Sequence, residues 1–569
     1  MPASRTTASR STRIRRFSVK QHSTLPPDVT RGADEPSDND TALHVLARAV
    51  RATPDRVFLD FEGDTYTYAE TDRLATCFAH ELIGLGLRPG QTVATVLDNC
   101  MDQVVTFLAV NKAGGVWVPV NTAYRGAFLR HPLDDSQAAI VVTDSRYVEH
   151  IAEIADSLPL VRTVLRRGDD SIGIVHRGSG IAVLPLDDYR GTDDTPIPIS
   201  AEPGDLSLLI FTSGTTGVSK GCMISYNYML NQGRMSNIAV PLTPDDVAFT
   251  PLPLFHASAV DLVLTGLLSG ARVSIASRFS LSGFWSEIER SGATYARLMA
   301  SIFPLVANAA DSPEMHRCRG QLHTVGGSPF PPELRKVWRE RFGVRFADAN
   351  NYGQTEGCRL SISRFGDENM PQDSCGKIAD DYEVVILDDD DRIVPDGVIG
   401  EIAFRPRKPN IMFSGYWRQP EATLGVWRNL WMHTGDIGRI DNGYLFFVDR
   451  KKDYLRSRGE NISSFEVERA FLVHPAIADV AAHAVDVGIA EDCLKITAVI
   501  KDGHTLEEQE LCLWAIDHVP HFAVPRYIEF RKELPRTATN KIQKAKLREE
   551  GSTAETWDRE AAGIQVRRK

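Results

Sequence analysis

The chain has no cysteine pair at C-x-x-C spacing and no uninterrupted apolar run approaching the ~18 residues of a membrane span. It also has no acidic residue before Asp28. Each absence excludes something. Eight scattered cysteines do not make a disulfide framework or a zinc site, so they read as reduced, mostly buried thiols of a cytoplasmic protein. The longest apolar stretch, residues 257–268, is short and interrupted by Asp261, so no transmembrane segment is expected. The N-terminus lacks the apolar core of a secretory signal. A net charge of −11 argues against a nucleic-acid partner. No internal repeat is visible.

The charge is unevenly spread. Residues 1–27 hold five Arg and one Lys, which leaves −17 on the rest of the chain. Residues 1–40 read as a basic Ser/Arg-rich tail without hydrophobic periodicity, expected to be disordered. An organelle transit peptide has similar composition, but residues 13–17 offer little apolar face for an amphipathic helix. Localisation is therefore expected to be cytoplasmic, with mitochondrial targeting the second possibility.

From Thr41 onward, 43% hydrophobic content and length point to a globular protein of more than one domain. Helical spacing over 69–85 and 103–113 alternates with strand patterns over 93–97 and 116–120. Such alternation predicts an α/β fold of mostly parallel, buried sheets. Residues 400–404 and 443–448 read as strands of a small antiparallel β region. Near Asp449 the composition turns sharply charged, as at a domain hinge or a solvated turn. The expected division is an N-terminal domain over 41–451 and a small α+β C-terminal domain over 452–569. The latter has helices over 465–473 and 506–518 and strands over 477–484 and 494–500.

The densest signal is Thr212-Ser213-Gly214-Thr215-Thr216-Gly217-Val218-Ser219-Lys220-Gly221, after the buried strand pattern 208–211. Glycines let the backbone approach closely, and N–H groups, hydroxyls and one cation can wrap a polyphosphate. A solvated Ser/Thr/Gly turn has the same composition. The loop is not a Walker A motif, because Ser219 stands where that pattern needs glycine. In Asn351-Tyr352-Gly353-Gln354-Thr355-Glu356, Tyr can stack on a base, Thr can hold a phosphate oxygen and Glu can bind Mg²⁺ through oxygen. His433-Thr434-Gly435-Asp436 puts a carboxylate on a tight turn, within reach of two ribose hydroxyls. Residues 535–541 end in Lys541, in a polar loop near the C-terminus. Taken one at a time, each of these residues also has an ordinary structural reading.

Together and in this order, the segments resemble the adenylate-forming (AMP-binding) superfamily of acyl-CoA synthetases, carrier-domain adenylation enzymes and luciferases. The likeness covers roughly 41–548. The stretch 447–462 is similar to the crotonobetaine/carnitine-CoA ligase subgroup, beside the fatty-acid–CoA ligases. The resemblance implies ATP, Mg²⁺ and coenzyme A as cofactor and co-substrates. It places the loop of Thr212, Ser213, Gly214, Thr215, Thr216, Gly217 and Lys220 on the β- and γ-phosphates. Gly326, Gly327 and Ser328 with Asn351, Tyr352 and Gly353 would frame the adenine. Thr355 would contact the α-phosphate, Glu356 the Mg²⁺, and Asp436 with Arg450 the ribose. Lys541 would bridge α-phosphate and substrate carboxylate. Rotation about the hinge Lys452 would then exchange Lys541 for Gly459 beside the pantetheine path. His256 matches the position at the mouth of the acyl pocket, where an ordinary core histidine is the other reading.

Two positions depart from the family pattern. Asn540 stands where glycine usually precedes the catalytic lysine, and Asn tolerates left-handed backbone better than most residues. Tyr226 stands where His is common. The function implied is an ATP-dependent carboxylic acid–CoA ligase that forms an acyl adenylate and then a thioester. An adenylating enzyme that loads a carrier protein and a non-catalytic AMP-binding paralogue are the alternatives. The residues near 256–260 and those just after Glu356 are mostly small and weakly polar, which leaves medium-chain, branched, polycyclic or betaine-like acids open. Partners are expected to be small molecules only, and monomer and homo-oligomer both stay open.

Overall fold

The computed structural model describes residues 40–168, 180–212, 219–328, 330–357, 359–367, 370–451, 455–457, 460–462, 464–485, 493–519, 523–536 and 542–566. The basic tail thus lies outside the described residues apart from position 40, as do Lys452, Gly459, Lys541 and the loop interior 213–218.

Among the described residues, two seven-stranded sheets carry the first part of the chain. One runs in the order Phe346–Ala349, Thr324–Gly326, Tyr295–Arg297, Val247–Thr250, Arg272–Ile275, Val57–Phe61, Asp64–Thr67. The other runs Ala182–Pro185, Thr163–Arg167, Ile140–Asp144, Thr92–Val96, Val116–Pro119, Leu206–Thr212, Lys220–Ser225. Every neighbouring pair is parallel except the terminal hairpin of each sheet. Thr92–Val96 is buried at all five positions. A strand covered on both faces reads as an unbroken apolar run, which is why alternation is absent there.

Helices Met101–Lys112, Tyr226–Ala239 and Ala257–Ser269 are buried over most of their length. The latter two pack on each other, one against the strand Lys220–Ser225 and the other against Val247–Thr250 and Arg272–Ile275. They come close because Gly233 has no side chain: a Cβ there would stand 2.8 Å from Leu268 Cδ1 and 3.2 Å from the Leu264 backbone. Buried Asn99 couples the two sheets. Its Nδ2 donates to the carbonyls of Leu252 and Ala276, each at 2.9 Å, and its Oδ1 accepts from Leu254 N at 2.8 Å. This clamp fixes the segment that leads into His256.

An eight-stranded antiparallel sheet follows, spanning residues 351–450 and larger than the two strands visible in the sequence. Asp436 lies within its long strand Trp431–Asp441, not on a tight turn. Gly435, at φ +70°, and a register shift between Glu401 and Ala403 of the neighbouring strand make a bulge there. The turn-like residues HTGD signal that bulge, which re-aims a side chain without ending the strand.

Beyond it, Ile477–Val485, Cys493–Ile500, Tyr527–Phe530 and Trp557–Asp558 form a four-stranded sheet that packs with helices Ser464–Phe471 and Glu508–His518. Asp449 ties this region to the large antiparallel sheet. Its Oδ2 accepts from Ser464 N (2.5 Å), Ser464 Oγ (2.7 Å) and Phe465 N (3.3 Å), supplying from outside the helix the acceptors its first N–H groups need. Fully buried His483 sits 3.0 Å from Thr497 Oγ1, and burial pushes its imidazole down to about 4. An unfolded histidine takes a proton below about pH 6.5. The stability it contributes is therefore present above that pH and is lost as pH falls towards 4. Melting curves from neutral to mildly acidic pH are expected to show this loss, and His483→Gln to diminish it. An unchanged pH dependence in the variant would contradict the assignment.

Candidate active site

A cleft of about 1150 Å³ opens beyond the carboxyl ends of Leu206–Thr212, Tyr295–Arg297, Thr324–Gly326 and Phe346–Ala349. Ligands of open α/β sheets bind in that position. Thr212, Lys220, His256, Gly326, Gly327, Ser328, Asn351, Gly353, Thr355, Glu356, Asp436 and Arg450 all line it. The sequence motifs therefore converge although more than two hundred residues separate the first from the last.

Thr212 and Lys220 are register partners in an antiparallel hairpin. Both flanks of the hydroxyl-rich segment are thus anchored in the sheet. Gly327 is dictated by space, since a Cβ would stand 2.3 Å from Leu298 O and 2.7 Å from the Phe303 ring. Ser328 Oγ donates to Asn351 O at 2.8 Å, joining the two segments expected to frame a base. Tyr352 is buried behind this wall, its ring stacked on Phe447 at 6.0 Å and its hydroxyl donating to Asp436 Oδ2 at 2.7 Å. Asp436 and Arg450 are cross-strand partners, with Arg450 Nε 3.7 Å from Asp436 Oδ1. Burial lifts the Asp436 carboxyl above its ordinary value, and the Arg450 charge opposes that lift. His256 precedes the helix Ala257–Ser269, with its ring 4.9 Å from that of Phe255. Tyr226 is buried at the start of the helix Tyr226–Ala239, its hydroxyl donating to Asn111 O of the helix Met101–Lys112 at 3.3 Å.

Thr355 and Glu356 are held from two sides. Tyr228 donates to the Thr355 carbonyl at 2.9 Å, and Phe413 N donates to that of Glu356 at 2.9 Å. The Glu356 carboxylate accepts from the Tyr416 hydroxyl at 2.7 Å. Burial and the Glu356 charge both raise the Tyr416 phenol, so it stays a donor. Lys220 Nζ lies 4.7 Å from the centroid of the same ring.

Sequence reasoning missed Tyr416, which has no motif of its own and lies sixty residues from its partner. It also missed Arg297 and Arg359, which meet Asp261 and Ser236 at one side of the cleft. That side of the cleft therefore carries charged side chains beside small, weakly polar residues such as Ala257 and Ser258. Asp261 was the available signal, being a carboxylate inside an otherwise uncharged helix.

The family profile of the AMP-binding enzymes matches residues 46–417, and that of the AMP-binding enzyme C-terminal domain matches residues 466–541. The chain belongs to the AMP-binding enzymes. Within that family it falls in the acyl-CoA ligase branch. It is 30% identical over 498 residues to the crotonobetaine/carnitine–CoA ligase of Salmonella choleraesuis, covering 85% of this chain and 93% of that protein. ATP-bound MatB from Rhodopseudomonas palustris superposes with a TM-score of 0.77 at 26% identity, over 90% of this chain and 99% of that one. The anthranilate CoA ligase AuaEII, in complex with anthranoyl-AMP, shares the AMP-binding fold with a TM-score of 0.81 at 23% identity, over 93% and 99% of the two chains. Among the described residues, no helix is long and apolar enough to cross a membrane.

Proposed function

We propose that this AMP-binding enzyme is an ATP-dependent carboxylic acid–CoA ligase that uses the cleft for both half-reactions. The observation that carries the proposal is the convergence on one cleft of the hairpin partners Thr212 and Lys220, a held Thr355–Glu356 pair and the Asp436–Arg450 pair. A carboxylate is a poor acyl donor because its leaving group would be oxide. Attack on the α-phosphate of ATP gives a mixed anhydride with AMP and releases pyrophosphate. The thiol of coenzyme A then displaces AMP.

The obstacle in the first step is the approach of an anionic nucleophile to an anionic triphosphate. Positioning and fixed positive charge are the means a protein has to overcome it. The hairpin loop from Thr212 to Lys220 would hold the β- and γ-phosphates and the leaving pyrophosphate. Thr355 would orient the α-phosphate. Asp436 would accept from the ribose hydroxyls, steadied by Arg450 and Tyr352, while Gly326, Gly327, Ser328, Asn351 and Gly353 border the base. Glu356 is the residue to hold Mg²⁺, which commonly takes one or two protein carboxylates and completes its shell with water and substrate phosphates. One tethered carboxylate suits that demand, and among the described residues no cluster of three metal-binding side chains competes with it. The ion would supply charge neutralisation on the phosphates. Lys541 would serve adenylation and Gly459 thioester formation, with 41–451 and 452–569 as the two working domains and Lys452 between them.

Acid-dependent release of pyrophosphate in the absence of coenzyme A, followed by thioester and free AMP on its addition, is the expected behaviour. Pyrophosphate release whose product awaits a carrier protein and ignores coenzyme A would point to the carrier-loading class. No acid-dependent release across a broad panel would leave only an AMP-binding role.

A further inference from the structure

The Asp261 carboxylate is only 3% exposed and projects from a helix of otherwise uncharged residues. It forms ion pairs with Arg297, from the strand Tyr295–Arg297, and with Arg359 Nη2 at 2.6 Å, from the strand Arg359–Ile362. Ser236 Oγ lies 3.0 and 3.1 Å from its two oxygens and also accepts from Arg297 Nη2 at 3.1 Å. Arginine remains protonated in proteins. The other acceptors of Arg297 and Arg359, the Tyr295 hydroxyl and the Ser258 and Gln232 carbonyls, are neutral. Among the described residues, two guanidinium groups in ion pairs with one carboxylate therefore leave the cluster with a net positive charge.

The cluster lines the same cleft as His256, Val240, Leu298 and Met299, and Arg297 Nη1 donates to Ser258 O at 3.4 Å, two residues from His256. A net charge shielded from water is costly unless an opposite charge meets it. A plain alkyl chain seated here would cover that charge without answering it. A trimethylammonium group would be repelled by it. The planar guanidinium fork matches carboxylate oxygens in both charge and geometry.

We infer that the acid this enzyme activates carries a second carboxylate, at the far end of its acyl group, held by Arg297 and Arg359. The inference rests on the ligase reading of the cleft. It also separates this chain from relatives named for crotonobetaine and carnitine, whose far end is cationic.

Pyrophosphate release by the full-length enzyme tests it directly. The panel comprises aliphatic dicarboxylates from succinate to suberate, the benzenedicarboxylates, monocarboxylates of matched size and 4-trimethylaminobutyrate. The best dicarboxylate is expected to exceed its matched monocarboxylate in kcat/KM by about 10- to 100-fold, as for a charge-assisted hydrogen-bonded contact, with the betaine slowest. In Arg359→Gln the ratio between the two acids is expected to collapse towards unity, mainly through KM of the dicarboxylate. A ratio taken within one preparation does not depend on how much of the variant folds. Monocarboxylates or the betaine matching the dicarboxylates in the unmodified enzyme would overturn the inference and leave the ligase reading standing. Failure of every acid to release pyrophosphate would overturn both. A parental ratio in Arg359→Gln would remove Arg359 from the assignment and overturn the arginine-pair site.

Discussion

Lys541→Ala is expected to lower acid-dependent pyrophosphate release by ~10²–10³, the cost of removing one preorganised electrostatic group from a developing charge. Thioester formation from a synthetic acyl adenylate should stay within a few-fold of the parent. The asymmetry follows from what each step needs. Adenylation brings two anions together, so a cation between the carboxylate and the α-phosphate lowers its barrier. Thiolysis begins after pyrophosphate has left and needs an open path for the pantetheine arm. Gly459→Leu should do the reverse, because a residue without a side chain lets a narrow arm pass close to the backbone. Separate assays of the two half-reactions decide the matter. Equal losses in both steps for Lys541→Ala would refute the two-site division, and parental thioester formation in Gly459→Leu would refute the path beside it.

Gly357→Ala is expected to damage folding and activity together. The added methyl would stand 2.1 Å from Cζ of Phe404, whose ring is fully buried and packed edge-on to Tyr382 with centroids 5.9 Å apart. Something must move, and overpacking a dense core costs about 1–3 kcal/mol, sometimes more. The softer partner is the turn itself, closed by Gly357 N donating to Gln354 O at 3.1 Å. That turn carries Thr355 and Glu356. The melting temperature should fall by several degrees, and pyrophosphate release should fall further than the loss of folded protein explains. A variant with parental melting temperature and rate would show that Phe404 yields at no cost.

Much of this architecture was legible from the sequence because its strands are buried on both faces and its motifs are local. The strand Leu206–Thr212 and the helix Tyr68–Gly84 lie within a residue or two of their expected positions. Thr212, Glu356 and Asp436 stand in short segments whose composition is unusual in itself, whereas Arg450 was singled out through the family resemblance; all four line the cleft. Pairwise chemistry between distant segments leaves no such trace. Tyr416 looks like any core aromatic until the fold sets it against Glu356. Arg297 and Arg359 are ordinary charges until they meet Asp261. Asp436 was found for its composition and misplaced in its geometry, because the residues that make a turn also make a bulge.

The Tyr416 ring has one more consequence. A lysine and a glutamate in direct contact form a closed pair that must be pulled apart before either can serve a ligand. Here a neutral phenol stands between them, its face towards Lys220 and its hydroxyl on Glu356. Both charges are held in place without cancelling each other. In the roles proposed for them, phosphates would reach the cation and a metal ion the anion without first breaking a bond between the two, so each turnover would begin with both groups already in place.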